Sequence, residues 1–130
     1  MAKARILIAD DEEGIRESLS LILGDDYDLV FAVDGEETLA KLQQEPFALV
    51  LLDIKMPKLD GLDVMKQLKA QGITAPILML TAYQSIELAK EAVTLGALDY
   101  LPKPFERDHI LEAVKGALRQ IEKSKEYLKK

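Results

Sequence analysis

The sequence predicts an α/β fold in which a five-stranded parallel sheet is covered by helices. Five short apolar runs recur along the chain, and stretches with apolar residues three or four positions apart separate them. The runs are apolar throughout rather than alternating. Such runs are typical of strands buried on both faces of a parallel sheet, which right-handed crossovers connect through helices.

The strands are predicted from the apolar runs, which are residues 5–9, 28–32, 48–52, 77–80 and 98–101. Helical spacing between and after them is clearest for Ile15, Leu19, Ile22 and Leu23, for Leu62, Met65 and Leu68, and for Ile110, Val114, Leu118 and Ile121. Asp34 is expected to cap the second helix, and Gly24, Gly72 and Gly96 lie near the ends of the first, third and fourth.

The composition indicates one domain in a cytoplasmic setting. The chain has 130 residues, is 48% hydrophobic and lacks cysteine, so it can bury a core but forms no disulfides. Its longest apolar run, residues 48–52, is far shorter than the roughly 20 residues of a membrane helix. The net charge of −6 argues against direct nucleic-acid binding, which requires a basic face.

An unusual feature is the stretch ILIADDEE, residues 6–13, where an apolar run meets four acids. Two carboxylates about 4 Å apart repel by roughly 1 kcal/mol in water and roughly 4 kcal/mol near a protein surface. Either solvent must screen this cluster or a positive charge must lie beside it.

Polar side chains follow four of the five predicted strands. Asp10 and Asp11 follow the first strand, Asp53 the third, Thr81 the fourth and Lys103 the fifth. Parallel strands bring these positions to one edge of the sheet, where ligands of such folds bind. Carboxylates there provide the hard oxygen ligands that Mg²⁺ prefers, and a carboxylate can also attack phosphorus to form an acyl phosphate.

This set of residues resembles the receiver domain of two-component response regulators. The resemblance includes Thr81-Ala82 and Lys103-Pro104 and covers about residues 4–121, leaving 122–130 as a C-terminal helix extension or the start of a linker. It implies a doubly wound (βα)5, flavodoxin-like domain with strand order 2-1-3-4-5. It also implies a phosphorylation-dependent signalling switch rather than a turnover enzyme.

The resemblance implies a role for each site residue. Asp53 would accept a phosphoryl group from a sensor histidine kinase or a histidine phosphotransfer protein. Asp11 and Asp53 would bind Mg²⁺ or Mn²⁺ through their side chains, Lys55 through its backbone carbonyl, and Asp10 mainly through a water. Lys103 would pair with the phosphoryl oxygens.

The switch would involve Thr81 and Tyr100. Thr81 would move inward to hydrogen-bond the phosphoryl group, and Tyr100 would turn inward on activation. The readout would be the surface of helix 4, strand 5 and helix 5, through which a homodimer is also possible. The Lys103–Pro104 bond is expected to be cis, against roughly 5 to 6% of such bonds in folded proteins.

Each residue also has a simpler interpretation. Asp10 and Asp11 would serve as caps of the first helix, worth about 0.5 to 2 kcal/mol. Thr81 would be a strand-end hydroxyl, Lys103 a solvated lysine and Tyr100 a half-buried aromatic on an edge strand. The single histidine, His109, is expected to be solvated in the first turn of the last helix, so the phosphoryl donor must be another molecule.

Three rival functions fit the sequence less well. A haloacid-dehalogenase-like phosphatase needs a second acid two residues after its nucleophile, where this chain has Lys55. A flavin-binding electron carrier needs a phosphate-binding loop after the first strand, where DDEEG would repel phosphate. A purely interacting domain would not require the complete set of acids, hydroxyl and lysine.

Two further hypotheses concern lifetime and assembly. Lys55 and Tyr83 are expected to flank the path of an attacking water and to slow dephosphorylation. In the last helix, Leu111, Val114, Leu118, Ile121 and Leu128 recur at roughly heptad spacing, which would allow pairing with a second copy. The simpler interpretation, that these residues line the domain's own core, is favoured through Ile121.

Overall fold

The computed structural model describes residues 3–82 and 86–129. In this part of the chain, five parallel strands form one sheet in the order β2-β1-β3-β4-β5, and five helices alternate with them. The predicted flavodoxin-like fold and its strand order are therefore confirmed. The elements are β1 (Arg5–Ala9), α1 (Glu13–Leu23), β2 (Asp28–Ala32), α2 (Gly35–Gln44), β3 (Leu49–Asp53), α3 (Gly61–Ala70), β4 (Ile77–Ala82), α4 (Ile86–Thr94), β5 (Asp99–Lys103) and α5 (Arg107–Lys129).

The first two strands have the predicted bounds, whereas the last three extend beyond their apolar runs. Backbone pairing continues after the apolar residues, because Asp53 pairs with Leu80 and Thr81 with Pro102. The polar residues expected after strands three to five thus lie inside those strands: Asp53 and Lys103 end β3 and β5, and Thr81 is the second-to-last residue of β4. Position in a strand restricts the backbone of these residues more than a loop would.

The two faces of the sheet carry separate apolar clusters. Ile6 and Ile8 point to the face that α1 and α5 cover, and Leu7 and Ala9 point to the face that α2, α3 and α4 cover. All four side chains are fully buried, as expected for a central strand of a parallel sheet. The edge strands β2 and β5 are only partly buried.

Side-chain caps fix the start of two helices that flank the site. The Asp34 carboxylate accepts the backbone N–H of Glu37 at the start of α2, as predicted. At the start of α3, Asp60 and Asp63 form a capping box in which each side chain accepts the other's backbone N–H. These caps satisfy N–H groups that have no partner within the helix.

The last helix is longer than the domain core requires. α5 continues to Lys129, so the segment expected to be an extension or a linker is helical over 122–129. Val114 is fully buried, and Leu118 and Ile121 pack against the same cluster, which supports the core interpretation of these residues. The side chain of Leu128 lies outside the described part. Among the described residues, no helix is both long and apolar enough to cross a bilayer.

Candidate functional site

The carboxyl-terminal edge of the sheet gathers most of the buried polar side chains. In the part of the chain that the structure describes, four polar residues are buried, and three of them, Asp10, Asp53 and Thr81, lie at this edge. Asp53 and Thr81 belong to β3 and β4, and Asp10 directly follows β1. The prediction that these strand ends converge is confirmed by their position.

Lys103, the last residue of β5, reaches across this edge to the acids. Its Nζ atom lies 2.7 Å from Asp10 Oδ2, 3.4 Å from Asp53 Oδ2 and 3.5 Å from Glu12 Oε1. Its side chain is only 11% exposed, so the solvated-lysine interpretation is wrong. The positive charge that the DDEE cluster requires is therefore supplied in part by this ammonium group.

Asp10 is held by contacts on every oxygen atom. Oδ1 accepts the backbone N–H of Glu12, Oδ2 accepts a hydrogen bond from Lys103, and the backbone oxygen accepts one from Arg16 Nη1 at 2.8 Å. The bond to Glu12 agrees in part with the prediction that Asp10 caps the first helix. Asp10 accepts the backbone N–H of Glu12, which directly precedes α1 and whose own side chain makes no capping hydrogen bond. The contact with Arg16 was not predicted. Arg16 lies six residues after Asp10, and this spacing in the sequence does not indicate a contact.

The same edge carries a group of acids that fits a divalent cation. One carboxylate oxygen from each of Asp10, Asp11, Glu12 and Asp53 lies within 4.8 Å of the others. Two of these acids are buried and two are exposed, so the cluster opens to solvent on one side. Several carboxylates with an open side suit Mg²⁺, which keeps part of its water shell. Glu12 was not predicted as a ligand, although it belongs to the run of four acids.

The electrostatics of the site favour an additional positive charge. The pKa of Asp53 is raised to about 7, mainly by burial and next by the charge of Asp10, while Lys103 opposes the rise. Burial also raises the pKa of Asp10 against its hydrogen bonds from Lys103 and Glu12. Burial alone would lower the pKa of Lys103, but its hydrogen bond to Asp10 and the neighbouring acids raise it overall. One ammonium group leaves the carboxylates incompletely compensated.

The remaining predicted residues surround this centre. Thr81 Oγ1 donates to the backbone oxygen of Ala82 at 3.0 Å, and Tyr100 is half-buried on the edge strand β5. The side chain of Lys55 is exposed beyond the end of β3, and the Lys103–Pro104 bond is cis, as expected. Tyr83 lies outside the described residues.

Comparison with known proteins decides the family. The family model of the response regulator receiver domain matches residues 6–115, which is most of the chain. The chain belongs to this family. Its members are switches of two-component signalling that depend on phosphorylation, interact with histidine kinases and generally bind Mg²⁺ in an acidic pocket.

Full-length regulators are among its relatives. The chain is 37% identical over 121 residues to the transcriptional regulatory protein FixJ of Bradyrhizobium diazoefficiens, covering 92% of this chain and 59% of that protein. It is 44% identical over 119 residues to the alkaline phosphatase synthesis transcriptional regulatory protein PhoP of Bacillus subtilis, covering 91% and 50%. The chain thus spans about half the length of these curated relatives.

Solved structures agree with this assignment. The receiver domain of the Francisella response regulator 1452 superposes with a TM-score of 0.83 at 30% identity, covering 92% of this chain and 99% of that one. NtrX from Brucella abortus superposes with a TM-score of 0.90 at 33% identity, covering 99% of this chain and 29% of that one. The fold described above is therefore that of a receiver domain.

Proposed function

We propose that Asp53 is the phosphoacceptor of this receiver domain and that a partner histidine kinase or a histidine phosphotransfer protein is its donor. The observation that supports this most is the position of the Asp53 carboxylate, which is 5% exposed and lies 3.4 Å from the Lys103 ammonium. Asp11 and Glu12 lie within the same acidic cluster but are exposed, and both carboxylate oxygens of the buried Asp10 already accept hydrogen bonds. Asp53 therefore combines a cation partner with shielding from bulk water.

The proposed transfer is a displacement at phosphorus. An oxygen of the ionised Asp53 carboxylate attacks the phosphorus atom of a phosphohistidine, or of a small acyl phosphate. A new O–P bond forms while the bond from phosphorus to the donor nitrogen or oxygen breaks, and the electron pair of that bond stays with the donor. Lys103 stabilises the additional negative charge, since its ammonium already lies within reach of Asp53.

The residues present also fit a divalent cation in this proposal. Asp11 and Asp53 would hold it through their side chains, Lys55 through its backbone carbonyl, and Asp10 mainly through a water. The indirect role of Asp10 agrees with its contacts, because both of its carboxylate oxygens are already engaged. When bound, Mg²⁺ would offset the charge of the acids and of the phosphoryl oxygens.

Phosphorylation would act as a switch through Thr81 and Tyr100. The Thr81 hydroxyl is directed to the neighbouring carbonyl of Ala82, and a phosphoryl group on Asp53 would offer it a stronger, charged acceptor. Rotation of Thr81 would leave space toward which half-buried Tyr100 can turn. The result would be a shift in population between two arrangements of the α4, β5 and α5 surface.

The lifetime of the phosphorylated state would depend on Lys55. Its side chain is exposed two residues beyond Asp53, where a long chain would hinder the approach of water. Tyr83 is proposed to act in the same way. Small residues at both positions are expected to accelerate loss of the phosphoryl group, and an unchanged rate would contradict this part of the proposal.

The proposal is tested by incubating the protein with acetyl phosphate and Mg²⁺ and measuring the intact mass. We expect the addition of one phosphoryl group, its absence in Asp53→Asn, and no addition when EDTA removes the metal. Asp108→Asn is the matched control, because Asp108 is an exposed acid in the first turn of α5. An unmodified wild-type protein, or a modification that survives Asp53→Asn, would overturn the proposal.

A further inference from the structure

The loop between β3 and α3, residues 54–60, is fixed at both of its ends. Ile54 donates its backbone N–H to Leu80 at 3.1 Å, and the N–H of Gly61 returns to the oxygen of Ile54 at 2.7 Å. A Cβ atom at Gly61 would lie 2.5 Å from the backbone oxygen of Asp53, so the loop closes directly against the proposed phosphoacceptor. The exposed Lys55 lies between these ends.

The middle of the loop is fixed by a different part of the chain, the junction of β2 and α2. The backbone N–H of Gly35 donates to the oxygen of Pro57 at 3.4 Å. A Cβ atom at Gly35 would overlap both the backbone and the side chain of Leu59, so only glycine allows this approach. Gly35 is buried there, and the contact does not depend on a flexible side chain.

Charge adds a second contact at the same place. Lys58 Nζ lies 3.5 Å from Asp34 Oδ2 and 3.9 Å from Glu36 Oε2. Lys58 also has a positive φ of 70°, and it is the one residue other than glycine with a positive φ in the described part of the chain. A side chain held in this backbone region indicates that its surroundings impose the conformation, and such residues cluster at functional sites.

We infer that the junction formed by Asp34 and Gly35 is a positioning device for the metal-binding loop, acting on the Lys55 carbonyl through Pro57, Lys58 and Leu59. The inference rests on the proposed function, because it concerns the same cation. Mg²⁺ demands nearly ideal octahedral geometry at about 2.0 to 2.1 Å, so a small shift of one carbonyl ligand weakens binding. Residues outside the acidic cluster would thereby set its affinity for metal.

The first test is the Mg²⁺ dissociation constant of Gly35→Ala, measured by calorimetric titration of the purified protein with MgCl₂. We expect an increase of roughly tenfold or more, the size typical of lost supports behind metal ligands. Gly116→Ala is the matched control, since a Cβ atom there meets nothing within 4 Å, and its dissociation constant should equal that of wild type.

Two milder variants decide the question if Gly35→Ala does not fold. Asp34→Asn retains a cap for α2, because asparagine also accepts the N–H of Glu37, but it loses the charge that attracts Lys58. Lys58→Gly relieves the positive φ and removes the ammonium. Each should raise the dissociation constant about threefold without loss of folding stability, and Lys58→Arg, which keeps the positive charge, should bind Mg²⁺ as tightly as wild type.

The outcomes separate this inference from the proposed function. Weaker Mg²⁺ binding in the junction variants, with wild-type binding in Lys58→Arg, supports the positioning role. If wild type binds Mg²⁺ and is phosphorylated while Gly35→Ala binds as tightly, or, where Gly35→Ala does not fold, while Asp34→Asn and Lys58→Gly bind as tightly, the positioning role is overturned and the proposed function stands. A wild-type protein that binds no Mg²⁺ overturns both.

Discussion

The two edges of the sheet handle charge in opposite ways. At the amino-terminal edge, Arg5 of β1 lies 3.3 Å from Asp28 of β2 through its Nε atom and pairs with Glu45 through Nη1. These side chains are between 37% and 57% exposed. At the carboxyl-terminal edge, the side chains of Lys103, Asp10 and Asp53 are at most 11% exposed.

The difference lies in the balance of charge as well as in burial. Arg5 has two partly exposed acidic partners and also lies over the ring of Phe47, 5.4 Å from its centroid. Lys103 instead contacts three acids, two of them buried. Solvent screens the first arrangement, whereas burial strengthens the repulsion within the second.

The comparison teaches that the same residue types form partly exposed ion pairs at one edge and a buried, incompletely compensated group of acids at the other. Exposed ion pairs contribute roughly 0 to 1 kcal/mol each, so the amino-terminal edge is a minor support of the fold. A buried group of like charges lowers stability until a cation binds, as functional sites often do. The predictions that follow compare the two edges, from the largest expected effect to the smallest.

Removal of the lysine should have the largest effect. Lys103→Met leaves Asp10 and Asp53 buried beside each other without their ammonium partner, which should lower the free energy of unfolding by roughly 3 kcal/mol near neutral pH. Arg5→Met at the other edge should lower it by only about 1 kcal/mol. Urea unfolding in EDTA measures both, and equal losses would contradict the comparison.

Neutralising the central acid should stabilise the metal-free protein. The pKa of Asp53 is raised from 3.8 to about 7, so its ionisation destabilises the folded state once the pH exceeds about 4. At about 1.4 kcal/mol per pH unit, this interval sets an upper bound of roughly 4 kcal/mol. Because asparagine loses the attraction to Lys103, we expect Asp53→Asn to gain roughly 2 kcal/mol near pH 8.

The pH profile gives the sign of this effect. Between about pH 4 and pH 7 the folded protein binds a proton at Asp53 that the unfolded chain has released, so the stability of wild type falls as the pH rises. The advantage of Asp53→Asn should therefore be small near pH 4, grow up to about pH 7 and then level off. Urea titrations across this range in EDTA measure it, and an advantage that shrinks with rising pH would be inconsistent with a raised pKa.

Binding of Mg²⁺ should restore the stability that the buried acids remove. With free Mg²⁺ at ten times its dissociation constant, wild type should gain about 1.4 kcal/mol of stability. Asp11→Ala and Asp53→Asn should gain much less, since each lacks a proposed ligand. Glu45→Gln, at the amino-terminal edge, serves as the control and should respond as wild type does. A gain that is equal in all four proteins would indicate binding elsewhere.

The smallest effect is expected at the exposed pair. Asp28→Asn should change the free energy of unfolding by no more than about 0.5 kcal/mol, because Asp28 is 57% exposed and Arg5 keeps Glu45. High salt should remove even this difference, since it screens exposed charges. The measurement is thermal unfolding with and without 1 M NaCl, a concentration at which the Debye length is about 3 Å.

The sequence by itself determined the fold class and most of the residues at the site, although not Glu12 or Arg16. Apolar runs and helical spacing define which segments are strands and helices because burial depends on local pattern. The order of polar residues at strand ends then places Asp10, Asp53, Thr81 and Lys103 at one edge, because parallel strands all point the same way. None of these inferences requires knowledge of the distances between atoms in the folded protein.

Tertiary structure alone decided the ends of the strands and the partners within the site. Strands β3, β4 and β5 continue into their polar residues because neighbouring strands supply backbone partners there, which no local pattern reports. Which acid Lys103 contacts most closely, and the approach of Gly35 to the loop after Asp53, depend on atoms distant in sequence. Such contacts follow from the packing of distant segments against each other, which no local sequence pattern reports.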